Sequence, residues 1–364
     1  MSRPTKIIID TQAIKYNCQL VTMIAPQSKV VAMVKADAYG HGAAEVAKIL
    51  AAQVGKLGVC CLEEAQLLRD AGINKPIVLI EGCFEEHEYH LSAKLDCEIV
   101  IHNEQQLSQL LALEQTFAFT VWLKIDTGMH RLGISLEQSA EVFAQLQTST
   151  KVAKIILTSH FSNADELDSP STPDQIRRFE RNIAPLLQAQ TKPVEISLAN
   201  SAAILGWPKS HYDWVRPGIM LYGISPFAGA EHNADKLRPA MQFCSKVIAL
   251  RTIQAGETVG YGNTWQAERT SIIATVAAGY GDGYPRTAPS GTPVLVNTHR
   301  AKLVGRVSMD MLSVDVTELP HVAVGDEVEL WGARLLVNEV AQYAGTNGYE
   351  LVTRMPSRVA RSYQ

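Results

Sequence analysis

Cysteine is scarce in this chain: six in 364 residues, at positions 18, 60, 61, 83, 97 and 244, with no C-x-x-C pair. That spacing gives neither a disulfide framework nor a zinc ribbon, and unpaired thiols fit a reducing cytoplasm. Long apolar runs are also missing. None approaches the roughly 20 residues that a membrane span needs, and the start, MSRPTKIIIDTQAIKYN, lacks the apolar stretch of a secretory signal. Basic excess is absent too: 33 Lys and Arg stand against 37 Asp and Glu, a net charge of -4. The one basic concentration, RRFER at 177–181, is broken by Glu180 and reads as a solvated helix face. With aromatics at only 7% and scattered, neither a nucleic-acid partner nor a stacking platform is expected. The G-x-G-x-x-G dinucleotide signature is lacking as well, since GYGDGY (279–284) puts Tyr284 where the third glycine would stand. That segment reads as a turn.

What is present is an ordinary globular balance, 46% hydrophobic and 19% charged, in a chain long enough for one large domain and a smaller one. Short β-rich apolar runs recur at 29–35, 56–61, 76–81, 97–101, 119–126, 152–160, 194–200 and 214–223. Helix-like stretches such as GAAEVAKILAAQ (42–53) lie between them. Continuous apolar strands alternating with helices predict a parallel sheet buried on both faces. Eight such units in about 225 residues suit a (β/α)8 barrel, with a doubly wound sheet as the competing topology. Beyond the polar stretch AGAEHNADK the texture changes to short β runs separated by turns, with little helical period until VNEVAQYAG. The expected architecture is therefore α/β: a TIM-like (β/α)8 barrel over 1–235, then a smaller, mainly β domain over 236–364.

Lys35 ends the apolar run Val30–Val34 and is followed by Ala36-Asp37-Ala38-Tyr39-Gly40-His41-Gly42. Barrel enzymes place their active sites at the C-terminal ends of the strands. An amine in apolar surroundings loses basicity, because desolvation disfavours its charged form, and a neutral amine can form a Schiff base. Position alone leaves a second reading open, in which Lys35 simply leaves the strand into solvent.

The segment VVAMVKADAYGHG resembles the lysine segment of the alanine racemase family, in which the lysine carries pyridoxal phosphate. KIDTGMHRLG (124–133), SHFSNADE (159–166), LANSAA (198–203), VRPGIMLYG (215–223), VGYGNTW (259–265) and VGRVSMD (304–310) resemble that family's segments in the same order. The likeness spans both regions. It implies a barrel followed by a β domain, pyridoxal 5'-phosphate as cofactor, alanine as substrate and D-alanine supply for peptidoglycan. It further implies a head-to-tail homodimer in which one subunit's β domain completes the other's site. No metal is implied.

Racemisation removes the α-proton from one face of the amino acid and returns one to the other, which calls for two acid/base groups on opposite sides. By resemblance, Lys35 handles the D-alanine proton and Tyr261 the L-alanine proton. A free phenol has a pKa near 10, so Tyr261 needs help, for which the resemblance offers His160 and Arg216 as neighbours. It also sets the Arg216 guanidinium against the ring nitrogen of the cofactor. Arginine donates a hydrogen bond there without giving up its proton, which tempers the ring as an electron sink. Tyr39, Ser201, Gly218 and Ile219 match phosphate contacts, the last two through backbone N–H groups. Asn200-Ser201 reads equally as a helix N-cap. The substrate carboxylate is expected at Arg131 and the backbone of Met309. Lys124 matches a lysine that the family often carbamylates, and Asp310 the entrance or the layer behind the site.

One departure stands out. Near the C-terminus the family frequently has a tyrosine that helps hold phosphate and narrows the pocket, and YELVTRMPSRVAR (349–361) puts Ser357 at that register. A pocket more tolerant of serine is expected. Three other functions fit parts of the pattern. A barrel-type pyridoxal-phosphate decarboxylase shares the lysine, but SMD, VGYGNTW and Arg216 argue against it. A non-catalytic pyridoxal-phosphate carrier needs no second domain bearing Tyr261 and Met309. A cofactor-free Schiff-base aldolase leaves the phosphate contacts unexplained.

Overall fold

The computed structural model describes residues 3–114 and 117–364. Its strands in chain order are β1 (Lys6–Ile9), β2 (Lys29–Met33), β3 (Lys56–Val59), β4 (Ile77–Leu79), β5 (Cys97–Ile101), β6 (Phe119–Lys124), β7 (Val152–Thr158), β8 (Val194–Ser197) and β9 (Trp214–Val215). They continue as β10 (Met241–Ile253), β11 (Thr258–Val259), β12 (Trp265–Gln266), β13 (Ser271–Val276), β14 (Pro293–Val296), β15 (His299–Leu303), β16 (Leu312–Asp315), β17 (Glu327–Trp331) and β18 (Ala360–Tyr363).

Strands β2 to β9 form one parallel sheet in the order β8-β7-β6-β5-β4-β3-β2-β9. Its ends meet where the Arg216 N–H donates to the Ala199 carbonyl at 2.9 Å and the Ser197 hydroxyl to the Trp214 carbonyl at 2.8 Å. Each of the eight apolar runs supplies one strand of this nearly closed barrel, and the doubly wound alternative drops out. Helices follow the strands and bury one stripe. In Ser171–Gln188, Thr172, Gln175, Ile176, Phe179, Ile183 and Leu186 face the sheet, a 3.6-residue period, and Arg177, Arg178 and Arg181 lie on the solvent side.

Alternate strand residues fill the barrel. Val31, Met33, Val78, Val100, Trp122, Ile156 and Trp214 make its interior, whereas Val30, Ala32 and Val34 pack outward in the larger core. Near the N-terminal ends of the strands, the Lys56 ammonium pairs with Glu98 and lies 4.5 Å from the Trp214 ring centroid. That mouth is plugged by packed rings and a paired charge, so the open end is the one where Lys35 follows β2.

The second sheet runs β13-β16-β15-β14-β17-β10-β1-β18 and curls back through a β10–β13 pairing. It is antiparallel except for β1 beside β18. Every β run read after residue 236 supplies a strand, VNEVAQYAG supplies the helix Val337–Ala344, and GYGDGY is a tight turn at Tyr280–Asp282. The first strand of the chain also belongs here: Lys6–Ile9 pairs with Met241–Cys244 and with Ala360–Tyr363, so the barrel proper begins at β2. Among the described residues, no helix is long and apolar enough to cross a membrane, and no cluster of His, Cys, Asp and Glu could hold a metal ion.

Candidate active site

A cavity of about 350 Å³ opens at the C-terminal ends of the barrel strands, lined by Lys35, Tyr39, Lys124, Arg131, His160, Ser201, Arg216, Gly218, Ile219 and Tyr349 among others. Four of these side chains are cationic and none of the lining residues is acidic. A pocket with this donor set favours an anionic ligand.

Lys35 enters it from a backbone of unusual shape. Ala36, Asp37, Ala38 and Tyr39 all have φ between 51° and 53°, a full turn of left-handed helix, and Gly40 continues it at 80°. Such a conformation costs roughly 1–2 kcal/mol per non-glycine residue, so contacts from outside must hold it. Asp37 Oδ1 accepts the Ala43 N–H at 2.8 Å. Arg361, from β18, pairs with Asp37 at 3.2 Å and donates to the Gly40 carbonyl at 2.9 Å. The Tyr363 hydroxyl donates to the His41 carbonyl at 3.2 Å. At Gly40 a Cβ would meet the Val352 carbonyl oxygen at 1.9 Å, so only glycine fits. Buried His41 packs against Tyr222 with ring centroids 4.4 Å apart, and Tyr222 in turn contacts Tyr39 at 5.1 Å.

The turn carries Tyr39 across to Gly218. A Cβ on Gly218 would sit 2.5 Å from the Tyr39 hydroxyl, so the missing side chain is what lets that hydroxyl approach the backbone. Ser201 Oγ accepts the Gly218 N–H at 2.8 Å. Asn200 is also the N-cap of Ser201–Gly206, its side chain accepting the Ala203 N–H at 3.0 Å, so the cap reading of this pair holds alongside its place in the cavity wall.

Arg216 follows β9 and is buried. Nη1 donates to Thr158 Oγ1, the Ser197 carbonyl and Ser197 Oγ at 2.7–3.0 Å, and Nη2 to the Ser159 and Leu198 carbonyls at 2.7 and 3.1 Å. Burial lowers its pKa to about 10, which still leaves it charged at neutral pH. Nη2 lies 3.4 Å from Nδ1 of His160. Burial first, then the charges of Arg216, Lys124, Arg131 and Lys35, hold the His160 pKa well below its usual value. His160 is therefore neutral, with Nδ1 as acceptor and the proton on Nε2.

Lys124 closes β6. Burial lowers its pKa to about 8, helped by Arg216, Arg131 and Lys35. The loop that bears Arg131 is folded by Asp126, whose Oδ1 accepts the N–H groups of Gly128, Met129 and His130 at 2.9–3.1 Å. Ile134 N–H returns to the Lys124 carbonyl at 2.8 Å. A 2.9 Å contact between the Thr127 and Ser159 hydroxyls ties this loop to the one carrying His160. KIDTGMHRLG and SHFSNADE are thus two sides of one wall.

Four expected site residues stand apart from the cavity within one chain. Tyr261 is 72% and Met309 53% exposed, both on the β domain. Asp310 pairs with Arg358 at 2.6 Å, and Arg358 also grips buried Asp282 at 2.8 Å. Ser357 is exposed in the turn before β18 and does not line the cavity. Tyr349 does line it, its ring 6.4 Å from that of Tyr39. The reason is local: the helix Gly348–Thr353 turns Tyr349 inward, and the chain then buries Met355 and leads Ser357 outward.

Family models of the alanine racemase N-terminal and C-terminal domains match residues 9–226 and 240–363. The chain belongs to the alanine racemase family. An alanine racemase from Pseudoalteromonas atlantica is 50% identical, over 100% of this chain and 99% of its own length. The catabolic alanine racemase of Pseudomonas aeruginosa is 46% identical over 99% of both chains. The crystal structure of the biosynthetic alanine racemase from the same organism superposes with a TM-score of 0.95 at 47% identity, covering 100% of this chain and 99% of that one. The decarboxylase, carrier and aldolase readings fall away with this membership, which spans both domains.

Proposed function

We propose that this protein interconverts L- and D-alanine with pyridoxal 5'-phosphate in the barrel cavity, Lys35 and Tyr261 acting as bases on opposite faces of the α-carbon. The supporting observation is the cavity itself: a lysine at a strand end among three further cations, with a backbone cradle at Gly218 that a Cβ would fill. That cradle and the four cationic side chains beside neutral hydroxyl donors fit a phosphorylated cofactor. Tyr39, Ser201 and the backbone at Gly218 and Ile219 would hold its phosphate, Lys35 its aldehyde carbon and Arg216 its ring nitrogen. When bound, the cofactor supplies a conjugated ring that makes the α-proton of the amino acid acidic.

The chain's own residues do the rest. Lys35 Nζ takes or returns the α-proton on the D side. Arg131 holds the substrate carboxylate through its fork of N–H donors. A Lys124 pKa near 8 leaves part of its amine neutral at mildly alkaline pH, the form that reacts with carbon dioxide. The resulting carbamate would place a negative charge beside Arg131 and fix it. Arg216 stays charged and keeps its proton, so it steadies the ring without protonating it.

Tyr261 lies outside this cavity in its own chain, and so does Met309. The reading therefore includes a head-to-tail homodimer, in which Tyr261, the backbone of Met309 and the Asp310 region serve the neighbouring subunit's barrel. Racemisation runs both ways, so one site supplies D-alanine for peptidoglycan and, in reverse, returns L-alanine. The test is D-alanine formation from L-alanine by the purified protein with added cofactor, alongside Lys35→Ala and Tyr261→Phe. Turnover that disappears with Lys35 and drops steeply with Tyr261 supports the reading. No turnover by a protein that has bound the cofactor overturns it.

A further inference from the structure

The ladder between β2 and β3 ends where the Val34 N–H donates to the Gly58 carbonyl at 2.9 Å. Past that rung a side chain takes over the connection between the two strands. Glu64 lies in the first turn of the helix Leu62–Asp70. Its Oε1 accepts the Ala36 N–H at 2.7 Å, and its Oε2 accepts the Cys60 N–H at 2.7 Å. One carboxylate thus joins the peptide directly after Lys35 to the peptide directly after β3.

We propose that Glu64 is a positioning residue for Lys35. The Ala36 amide is one peptide bond from the Lys35 α-carbon, so fixing that N–H fixes the rotation that aims the lysine side chain into the cavity. The restraint is needed there, because Ala36 opens the left-handed turn and nothing intrinsic to four non-glycine residues favours that shape. A glutamate in a first helical turn is already favoured by the helix dipole, and the bond to Cys60 resembles ordinary end-capping. The bond to Ala36 serves no cap. It reaches the end of the neighbouring barrel strand, at the residue next to the reacting amine. Carboxylate-to-backbone bonds are among the stronger neutral-to-charged hydrogen bonds, and a carboxamide cannot replace both, since one of its two ends donates.

This inference rests on Lys35 and Tyr261 being the opposing bases, and the test separates the two. Holoenzyme loaded with pyridoxal phosphate is assayed as wild type, Glu64→Gln and Glu64→Asp, with protiated and α-deuterated alanine in each direction. A misaimed Lys35 slows proton removal on the D side. For Glu64→Gln the expected result is a kcat lower by about tenfold or more with KM within about twofold. The deuterium isotope effect should rise for D-alanine, whose α-proton Lys35 removes, and fall for L-alanine, whose abstraction becomes reversible ahead of the slowed return of a proton from Lys35. Glu64→Asp, which keeps two acceptor oxygens, should fall between. Isotope effects are independent of the amount of folded enzyme, so a partly unfolded preparation still reports, and Glu64→Asp decides if Glu64→Gln fails to fold. Unchanged isotope effects with only a lower melting temperature would reduce Glu64 to a helix cap and overturn the proposal. A wild-type protein without racemisation would instead overturn the reading beneath it.

Discussion

Nη2 of Arg216 lies 3.4 Å from Nδ1 of His160 in the wall of the barrel cavity. Burial makes a charge on the imidazole unfavourable, and the permanent charge of the arginine adds to it. His41, also buried, behaves alike: desolvation lowers its pKa to about 4, and its Nε2 has no hydrogen-bond partner among the described residues. Unfolded histidine titrates near 6.5, so below that pH the unfolded chain binds protons that the folded chain refuses. Stability therefore falls as pH drops from about 7 towards 4. His41 alone is expected to account for on the order of 2 kcal/mol between pH 7.5 and 5. Urea unfolding at the two pH values checks this. His41→Phe should shrink the difference by about that amount, whatever it does to stability at pH 7.5.

Lys124 should exist partly as a carbamate. Bicarbonate labelled with carbon-13 is expected to give a carbamate carbon signal in the wild-type enzyme that is absent in Lys124→Ala. The signal should fade on acidification through the lysine pKa near 8, where the amine protonates. A Lys124→Ala enzyme should lose alanine affinity, read as a raised KM, because Arg131 loses the charge that fixes it. Added short carboxylic acids should restore part of it. Identical spectra for the two proteins would remove the carbamate from the account.

Head-to-tail pairing makes an arithmetic prediction. Lys35→Ala and Tyr261→Phe should each be nearly inactive alone. Unfolded together and refolded as a mixture, half of the dimers are mixed, and each mixed dimer has one site with both Lys35 and Tyr261 intact. Activity should return to roughly a quarter of wild type, the value for random pairing of a two-fold dimer. No recovery would mean that both bases come from one chain.

Tyr349, rather than Ser357, should set the width of the pocket. Tyr349→Ala is expected to raise the kcat/KM ratio of L-serine to L-alanine several-fold, since the cavity gains the volume of a phenol ring. Ser357→Tyr should leave that ratio where it is. The opposite pattern would require the turn at 357 to fold inward on assembly.

The barrel was legible because its strands are buried on both faces and so read as unbroken apolar runs, each with a turn behind it. Lys35, Lys124, His160 and Arg216 were legible because each sits at a strand end inside a distinctive segment. Tyr349 was harder to place. Its segment was recognised, but whether a side chain near a helix end points inward depends on the angle at which Gly348–Thr353 packs, and linear register does not carry that angle. Glu64 gave no signal at all: LEEAQLL is ordinary helix, and its partner Ala36 is 28 residues away. The placement of β1 was hidden for a similar reason. KIII could begin either sheet, and only the free edges of β10 and β18 decide which.

That placement has a consequence for how the protein is made. Lys6 pairs with Cys244 on one side and with Ala360 on the other, while the Gln364 N–H closes onto the Ile9 carbonyl at 3.0 Å. In topological terms the barrel is a very large insertion between β1 and the other strands of one β domain. Strand β1 therefore waits for both of its partners, β10 and β18, until the barrel between them has been synthesised. Contacts of such long sequence separation form slowly. The barrel can assemble during synthesis, but Arg361, which steadies its lysine turn, is delivered only when β18 docks beside β1.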